Sequence, residues 1–419
     1  MTIQRRRVLK GLAATGAAAG VSALGLPAPA IAQGAPFKIG LMTVKTGPLA
    51  QGGIQMEQGL LTFLKEKGNT LAGRKIELVV ADTGGNPAGA KTKTQELVER
   101  NKVHVIIGPL AAFEAIAIDD YIRQAQIPTV SCSAAAEDLT QRKANPWFVR
   151  TSSSSGQPNH PLGEYAAKTL GYKRVAIIAD DFAYGHETAA GFQRVFEDNG
   201  GKVVQKLWPP LNVPDYGAYI GQLKGNVDAV YAGFAGANGL RFLKQYKEYG
   251  MKMPVLGSAT TTDEGILKQM GDEALGVVTG GFYAAGIITP ENLRFVAAVN
   301  KAYGADPGYY TVGAYSAGLL VEMAVNAVRG KVENKDAFMK ALRNPGTVND
   351  PRGNWKLDEY GNPVQTLYVR RVERVAGKLV NTVVKTYPNM GQFWTYDPKQ
   401  FLANPVYSRD YPPAKNIEP

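Results

Sequence analysis

Three histidines, one cysteine and a few adjacent acids are the side chains of this 419-residue sequence best suited to chemistry. Their spacing argues against catalysis. His104, His160 and His186 are far apart, His104 within a strand-like run and His160 beside Pro161, and each reads as structural. His186-Glu187 opens like the zinc motif H-E-x-x-H, but Ala190 occupies the second histidine position, so two imidazoles cannot share one helix face. Gly313-Ala314-Tyr315-Ser316 has the wrong spacing for a nucleophile elbow. Gly233, Gly236 and Gly239 lie three apart and do not make a dinucleotide fingerprint, and there is no P-loop. Asp119-Asp120 and Asp180-Asp181 are adjacent pairs, whose side chains point apart on a helix or a strand. Cys132 is the only cysteine, so no intrachain disulfide can form, and it reads as a small buried core residue. The expectation is a protein without catalysis, cofactor or metal.

The elements that must position any site alternate strand with helix. Phe37–Met42, Lys75–Ala81, Val103–Ile107 and Pro128–Ser131 read as strands, separated by helical spacing in Gln55–Lys67, Pro87–Asn101 and Ala111–Gln124. A polar run, Thr151–Gly156 (TSSSSG), interrupts the rhythm. It resumes with strands at Arg174–Asp180, Lys202–Leu207, Asp228–Tyr231, Val255–Leu256 and Gly276–Thr279, and helices at His160–Leu170, Thr188–Asn199, Tyr216–Leu223 and Leu240–Tyr249. Three helical stretches follow (Glu291–Tyr303, Thr311–Val328, Lys335–Arg343), then hairpin signals at Asp358–Pro363 and Ala376-Gly377. Such alternation predicts α/β architecture with two parallel sheets, one per lobe, and helices on both faces. Ligands of open parallel sheets sit at the carboxyl ends of the strands. The loops that matter are therefore Met42–Gly53, Gly108–Phe113, Ser131–Asp138, Asp180–Gly185, Ala232–Asn238 and Ser258–Asp263.

Residues 1–32 read as an export signal: Arg5 and Arg6 fit a twin-arginine address, Gly11–Leu26 is weakly apolar, and Ala30-Ile31-Ala32 is a small-residue cleavage site. Such a chain is expected in the periplasm. Removing those residues takes away four basic side chains and lowers the net charge from +11 to +7. The remaining basic residues are scattered, which argues against nucleic-acid binding. The length suggests two domains.

Several segments together resemble the type I periplasmic binding proteins, in particular the branched-chain amino-acid-binding family of ABC importers. They are IGLMTVKTGPLAQGG (Ile39–Gly53), ADTGGNPAGAKTKTQELV (Ala81–Val98), VIIGPL (Val105–Leu110), SCSAAAEDLT (Ser131–Thr140), WFVRTSSSSGQ (Trp147–Gln157), RVAIIADDFAYG (Arg174–Gly185), YAGFAGANG (Tyr231–Gly239) and YTVGAYSAGLLV (Tyr310–Val321). The resemblance implies two Rossmann-like lobes joined by a three-strand hinge, closing on one small ligand and serving the transmembrane subunits of an ABC permease. Its expected divisions are residues 36–151 with 283–350 as lobe one, 152–282 with 351–390 as lobe two, and 391–419 as a C-terminal extension. Hinge crossings are expected at Thr151–Gly156, near Gly280 and at Asn344–Asn354, and a monomer is expected.

Departures from the family pattern bear on the ligand. Where the family places a Ser and a Thr for the ligand carboxylate, this chain has Ala112 and Ala135, while Ser133 keeps its place. Tyr184 matches the second-lobe tyrosine, and Phe234 stands where a second tyrosine falls. The acid that pairs with a ligand ammonium would fall near Ala259 or Thr260, where no carboxylate is present, and Asp263 lies further along. A desolvated ammonium without a counter-charge costs several kcal/mol. Phe113, Phe234, Phe282 and Tyr283, with Tyr184, Thr260, Thr261 and Ser133 as hydrogen-bond donors, suggest instead a flat aromatic acid. Thr43 and Ser131 complete the candidate site. Arg150 is a candidate either for the carboxylate donor or for a tie between lobes. The aromatic tail, QFWTYDPKQFLANPVYSRDY (Gln392–Tyr411), resembles the C-terminus of family members that bind aromatic acids, with Trp394 and Tyr396 expected on a lobe surface.

Overall fold

Alternation within each strand sorts side chains onto opposite faces of two sheets. In Arg174–Ala179, Val175 and Ile177 pack with Tyr231, Phe192 and Phe196, whereas Ala176 and Ile178 pack on the other face with Val230, Phe234 and Phe242. Both faces are apolar because helices cover both, as parallel strands require.

The computed structural model describes residues 35–418, so the twin-arginine reading of residues 1–32 lies outside the described residues. The strands are β1 (Phe37–Thr43), β2 (Thr70–Leu71), β3 (Arg74–Asp82), β4 (Val105–Ile107), β5 (Thr129–Ser131), β6 (Phe148–Arg150), β7 (Arg174–Ala179), β8 (Lys202–Leu207), β9 (Ala229–Gly233), β10 (Val255–Gly257), β11 (Val278–Gly281), β12 (Val348–Asp350), β13 (Gly353–Leu357), β14 (Pro363–Val375) and β15 (Lys378–Met390). The helices are α1 (Ala50–Glu66), α2 (Pro87–Gln95), α3 (Ala112–Ala125), α4 (Asn159–Glu164), α5 (Ala183–Asp198), α6 (Gly217–Ile220), α7 (Asn238–Glu248), α8 (Glu264–Leu267), α9 (Pro290–Tyr303), α10 (Tyr309–Ala327), α11 (Lys335–Arg343) and α12 (Pro398–Ala403). Among the described residues no helix is long and apolar enough to cross a membrane.

The first sheet has the order β2-β3-β1-β4-β5-β6, parallel except for the β2–β3 hairpin. The second has the order β12-β13-β14-β11-β10-β9-β7-β8, with β15 paired to β14. It is parallel from β8 to β11 and antiparallel beyond, where β14 joins β11. The chain leaves the first sheet after β6, returns after β11 to pack α10 against α1, and leaves again after α11. Gly59 lets those two helices meet, since a Cβ there would lie 2.1 Å from the carbonyl oxygen of Thr311. Their contact buries Met56, Leu60 and Phe63 against Val312, Leu320 and Val321.

The structure shortens one expected helix, Tyr216–Leu223, to a single turn at Gly217–Ile220. Asp215 and Gln245 accept the backbone N–H groups of Gly217 and Tyr216 and fix that turn as part of a loop. The two late hairpins fall at the expected turns, with Ala376 (φ 48°) and Gly377 (φ 80°) both left-handed between β14 and β15.

Candidate functional site

Both sheets reverse their strand order in the middle, at β1/β4 in the first and β7/β9 in the second. Loops leaving neighbouring strands in opposite directions open a crevice at such a point. The two crevices face each other across a cleft pocket whose empty space, part of it open to solvent, is about 290 Å³. The first sheet contributes Leu49, Leu110, Ala111, Ala112, Ser133 and Ala135; the second contributes Phe182, Tyr184, Ala235 and Thr260. Tyr309 and Tyr310, the first residues of α10, complete the wall.

The polar groups of this wall are fixed by one another. Thr260 Oγ1 donates to the carbonyl of Phe234 at 2.6 Å, so the hydrogen bond of 2.9 Å between Tyr184 and Thr260 is donated by the tyrosine. Tyr184 is thereby an acceptor towards the cavity, contrary to its expected donor role. Ser133 Oγ donates to the Leu110 carbonyl (2.9 Å), and Tyr309 OH donates to the Ser133 carbonyl (3.0 Å). Tyr310 OH accepts from the Gly236 N–H (3.4 Å), which leaves its hydrogen for the cavity. Ala112 begins α3, whose first-turn N–H groups have no acceptor within the helix and carry its positive end. Glu114 returns to the N–H of Ala111 (2.9 Å), and burial pushes its carboxyl up to about 7.

Of the ten residues singled out from the sequence, Ala112, Ser133, Ala135, Tyr184 and Thr260 line the cavity. Thr43 does not: its hydroxyl donates to the Gly53 carbonyl (2.8 Å) and secures the β1–α1 loop. Ser131 is likewise turned inward, donating to the Ala134 carbonyl (2.9 Å). The ring of Phe234 belongs to the second core, 4.8 Å from Phe242 and 5.3 Å from Tyr216 between centroids, and only its carbonyl serves the site. Phe282 packs behind Tyr309 (5.0 Å) and against Arg352. Phe113 stands outside the lining and meets Phe182 of the opposite sheet edge-to-face at 5.5 Å.

Sequence reasoning missed Phe182, Tyr309 and Tyr310. Phe182 lies within a loop that had been singled out, but the tyrosines head a helix far along the chain, and only the fold brings them here. Arg150 is settled as a tie. Fully buried, it donates to the carbonyls of Ala134 (3.2 Å) and Ala136 (2.6 Å), to Thr140 (2.5 Å) and to Asn362 (2.8 Å), using all three guanidinium nitrogens. The tail forms an aromatic cluster in which Trp394, Tyr396, Phe401 and Tyr407 surround His160 and Phe393 packs on Phe401, with Arg194 lying 4.0 Å from the Tyr396 ring. Arg142 holds it from the other side, donating to the carbonyls of Phe401, Asn404 and Pro405.

Among the described residues no acid, lysine, arginine or histidine lines the cavity. Asp180, behind the pocket, is already paired: it accepts from the Ala235 N–H (2.9 Å) and from the Asn238 side-chain amide (2.7 Å), and burial pushes it up to about 7. A pocket lined by uncharged side chains between two facing α/β sheets defines a small-molecule binding protein of two lobes. The chain belongs to the periplasmic binding protein family, whose model matches residues 36–378. It is 29% identical over 364 residues to the Leu/Ile/Val-binding protein homolog 6 of Brucella melitensis, covering 84% of this chain and 92% of that protein. It is also similar to a solute-binding protein of an ABC transporter from Rhodopseudomonas palustris BisB5, solved with 3,4-dihydroxybenzoic acid, at 33% identity and a TM-score of 0.82 (85% of this chain, 98% of the other). A second R. palustris solute-binding protein, solved with benzoate, aligns at 29% identity and a TM-score of 0.80 (85% and 98%). The family consists of substrate-binding transport proteins rather than enzymes.

Proposed function

We propose that this protein captures a single-ring aromatic carboxylate in the periplasm and presents it to the transmembrane subunits of an ABC importer. The observation that carries the reading is the cavity lining, which joins four aromatic rings and five hydroxyl groups (Ser133, Tyr184, Thr260, Tyr309 and Tyr310) with no carboxylate among the described residues. An α-amino acid would bury its ammonium there without a counter-charge, at several kcal/mol. A benzoate has no such group. Its carboxylate fits the first-turn N–H groups of α3, where the helix dipole favours an anion. Its ring fits between Phe182 and the tyrosines. A phenolic hydroxyl on that ring would donate to Tyr184, whose own hydrogen is already given to Thr260.

In this reading residues 36–151 with 283–350 form one lobe and 152–282 with 351–390 the other. Ligand enters between parted lobes and shifts the population towards the closed form. Branched-chain amino acids are the second reading, supported by the names of curated relatives such as the Brucella protein.

A thermal-shift comparison of 4-hydroxybenzoate, benzoate and leucine tests both. A ligand present at about 100 times its dissociation constant stabilises the folded form by about 2.7 kcal/mol. Shifts with the benzoates alone support the aromatic reading, and a shift with leucine alone replaces it by the second.

A further inference from the structure

Asp263 does not face the cavity; it crosses to the other lobe. Its Oδ1 accepts the backbone N–H of Tyr309 at 2.6 Å, and its Oδ2 accepts that of Gly265 at 3.0 Å. Tyr309 opens α10, which packs on the first sheet through α1, whereas Asp263 belongs to the loop after β10 of the second. The residue at the N-terminal cap of α10 is Gly308, which has no side chain to satisfy the helix's free N–H groups. Asp263 therefore caps a helix of the opposite lobe.

Two neighbours are shaped to this contact. A Cβ on Gly308 would lie 2.2 Å from Asp263 Oδ1, so any side chain there would exclude the carboxylate. The backbone of Gly308 (φ −124°) is extended and needs no glycine for its own sake. Gln55 of α1 is buried at the same junction, its side chain beside Asp263, and a Cβ on Gly265 would lie 2.0 Å from its Nε2. Both lobes thus bring backbone and side chain to one point, directly behind Tyr309 and Tyr310 of the cavity wall.

We propose that Asp263 is a positioning residue for capture: a latch that forms only when the lobes meet and that sets how long ligand stays. It touches no ligand. It fixes the first turn of α10, and hence the two tyrosines, against the second lobe. When the lobes part, the carboxylate and the Tyr309 N–H both return to water, so the latch contributes to the closed form alone. Association is governed by the open form and dissociation by the closed one. Loss of the latch therefore raises the dissociation rate and leaves the association rate unchanged.

The latch rests on the capture reading above but not on which ligand is captured. The test follows binding of 4-hydroxybenzoate and of leucine, in parallel, by stopped-flow fluorescence with wild type, Asp263→Ala, Gly308→Ala and Asp263→Asn. Whichever probe wild type binds, Asp263→Ala and Gly308→Ala are expected to release it about tenfold faster with association within about twofold, the effect of one charge-assisted hydrogen bond. Asp263→Asn keeps an acceptor for the Tyr309 N–H and recovers most of the residence time. A merely structural cap would lower the melting temperature of the ligand-free protein in all three variants and leave dissociation alone; that result overturns the latch. Binding of leucine only would replace the aromatic reading and leave the latch tested. If wild type holds neither probe, the capture of these ligand classes fails, and hydrogen exchange of the 305–315 segment in ligand-free protein decides. Equal exchange in wild type and Asp263→Ala is what a contact confined to the closed form predicts, and faster exchange in the variant reveals a cap of the open form and discards the latch.

Discussion

Glu137 and Glu187 should make capture depend on pH. Glu137 lies in the short turn between β5 and β6 of the first lobe, Glu187 on α5 of the second, and both are fully buried. The N–H of Glu137 donates to both Glu187 oxygens (3.3 and 3.2 Å), and the Glu137 carboxylate accepts from the Gly156 N–H (2.7 Å) and from Gln141. Desolvation, followed by the Glu137 charge, holds Glu187 well above its ordinary value of 4.5; Glu137 is raised too, by burial, and is moderated by Arg150. The charged or titratable groups around the pair are Arg150, Tyr407 and, beyond Arg150, Asp358. Arg150 favours the ionised form of both acids, while burial makes the pair as a whole hold a proton more tightly than it would in water.

When the lobes part, both carboxyls meet water and return towards 4.5. An acid whose value is raised in the closed form binds more proton there. Closure is therefore favoured as pH falls towards 4.5 and disfavoured as pH rises through the raised value. One proton taken up per closure changes the dissociation constant up to tenfold, or about 1.4 kcal/mol, per pH unit. The perturbation is Glu187→Gln, whose amide oxygen still accepts from the Glu137 N–H but carries no acid. Titration calorimetry with the ligand chosen by thermal shift, between about pH 6 and about pH 8 and in two buffers of different ionisation enthalpy, counts the protons directly. Wild type should bind more tightly at the lower pH with net proton uptake, and Glu187→Gln should flatten both. A wild-type affinity independent of pH, or an equal slope in the variant, would refute the reasoning.

Other expectations concern the walls, the hinge and the tail. Phe113→Ala removes an edge-to-face pair worth about 0.5–1.5 kcal/mol and should speed ligand release by roughly 2- to 13-fold in stopped-flow experiments. Arg150→Met leaves the Asn362 side-chain oxygen and the Ala136 carbonyl without a donor and takes one from Thr140 and from the Ala134 carbonyl, so urea unfolding should show a loss of about 3–5 kcal/mol. Burial in the aromatic cluster pushes His160 down to about 3 from an ordinary 6.5, so it is neutral when folded and protonated when unfolded in between. Its share of stability is complete above 6.5 and falls with pH by up to about 1.4 kcal/mol per unit until about 3, and His160→Gln should abolish that part of the acid sensitivity in denaturant titrations at several pH values.

Periodicity and turn residues were enough to determine two α/β halves, the order of their elements and the loops that bear the site. The reason is local: a buried parallel strand must be apolar on both faces, as Val175 to Ile178 are, and the turn at Ala376-Gly377 needs a left-handed backbone wherever it sits. The absence of an acid at Ala259 and Thr260 was equally legible, because a missing side chain needs no geometry to be missed. Which way each side chain turns was decided only in three dimensions. Phe234 and Phe282 stand in site loops, yet strand register and helix packing turn one ring into the second core and set the other behind Tyr309. The polarity of Tyr184 depends on Thr260 and Phe234, residues brought to it by the β7–β9–β10 sheet. Arg150, at the end of β6, is a tie rather than a ligand donor because four acceptors converge on it from the 134–140 loop and Asn362. Asp263 and Gly308 are 45 positions apart in the chain and meet only because α10 folds back onto the first sheet. Hydrophobic pattern is written residue by residue along the chain, whereas the partner of a polar group is a property of the packing.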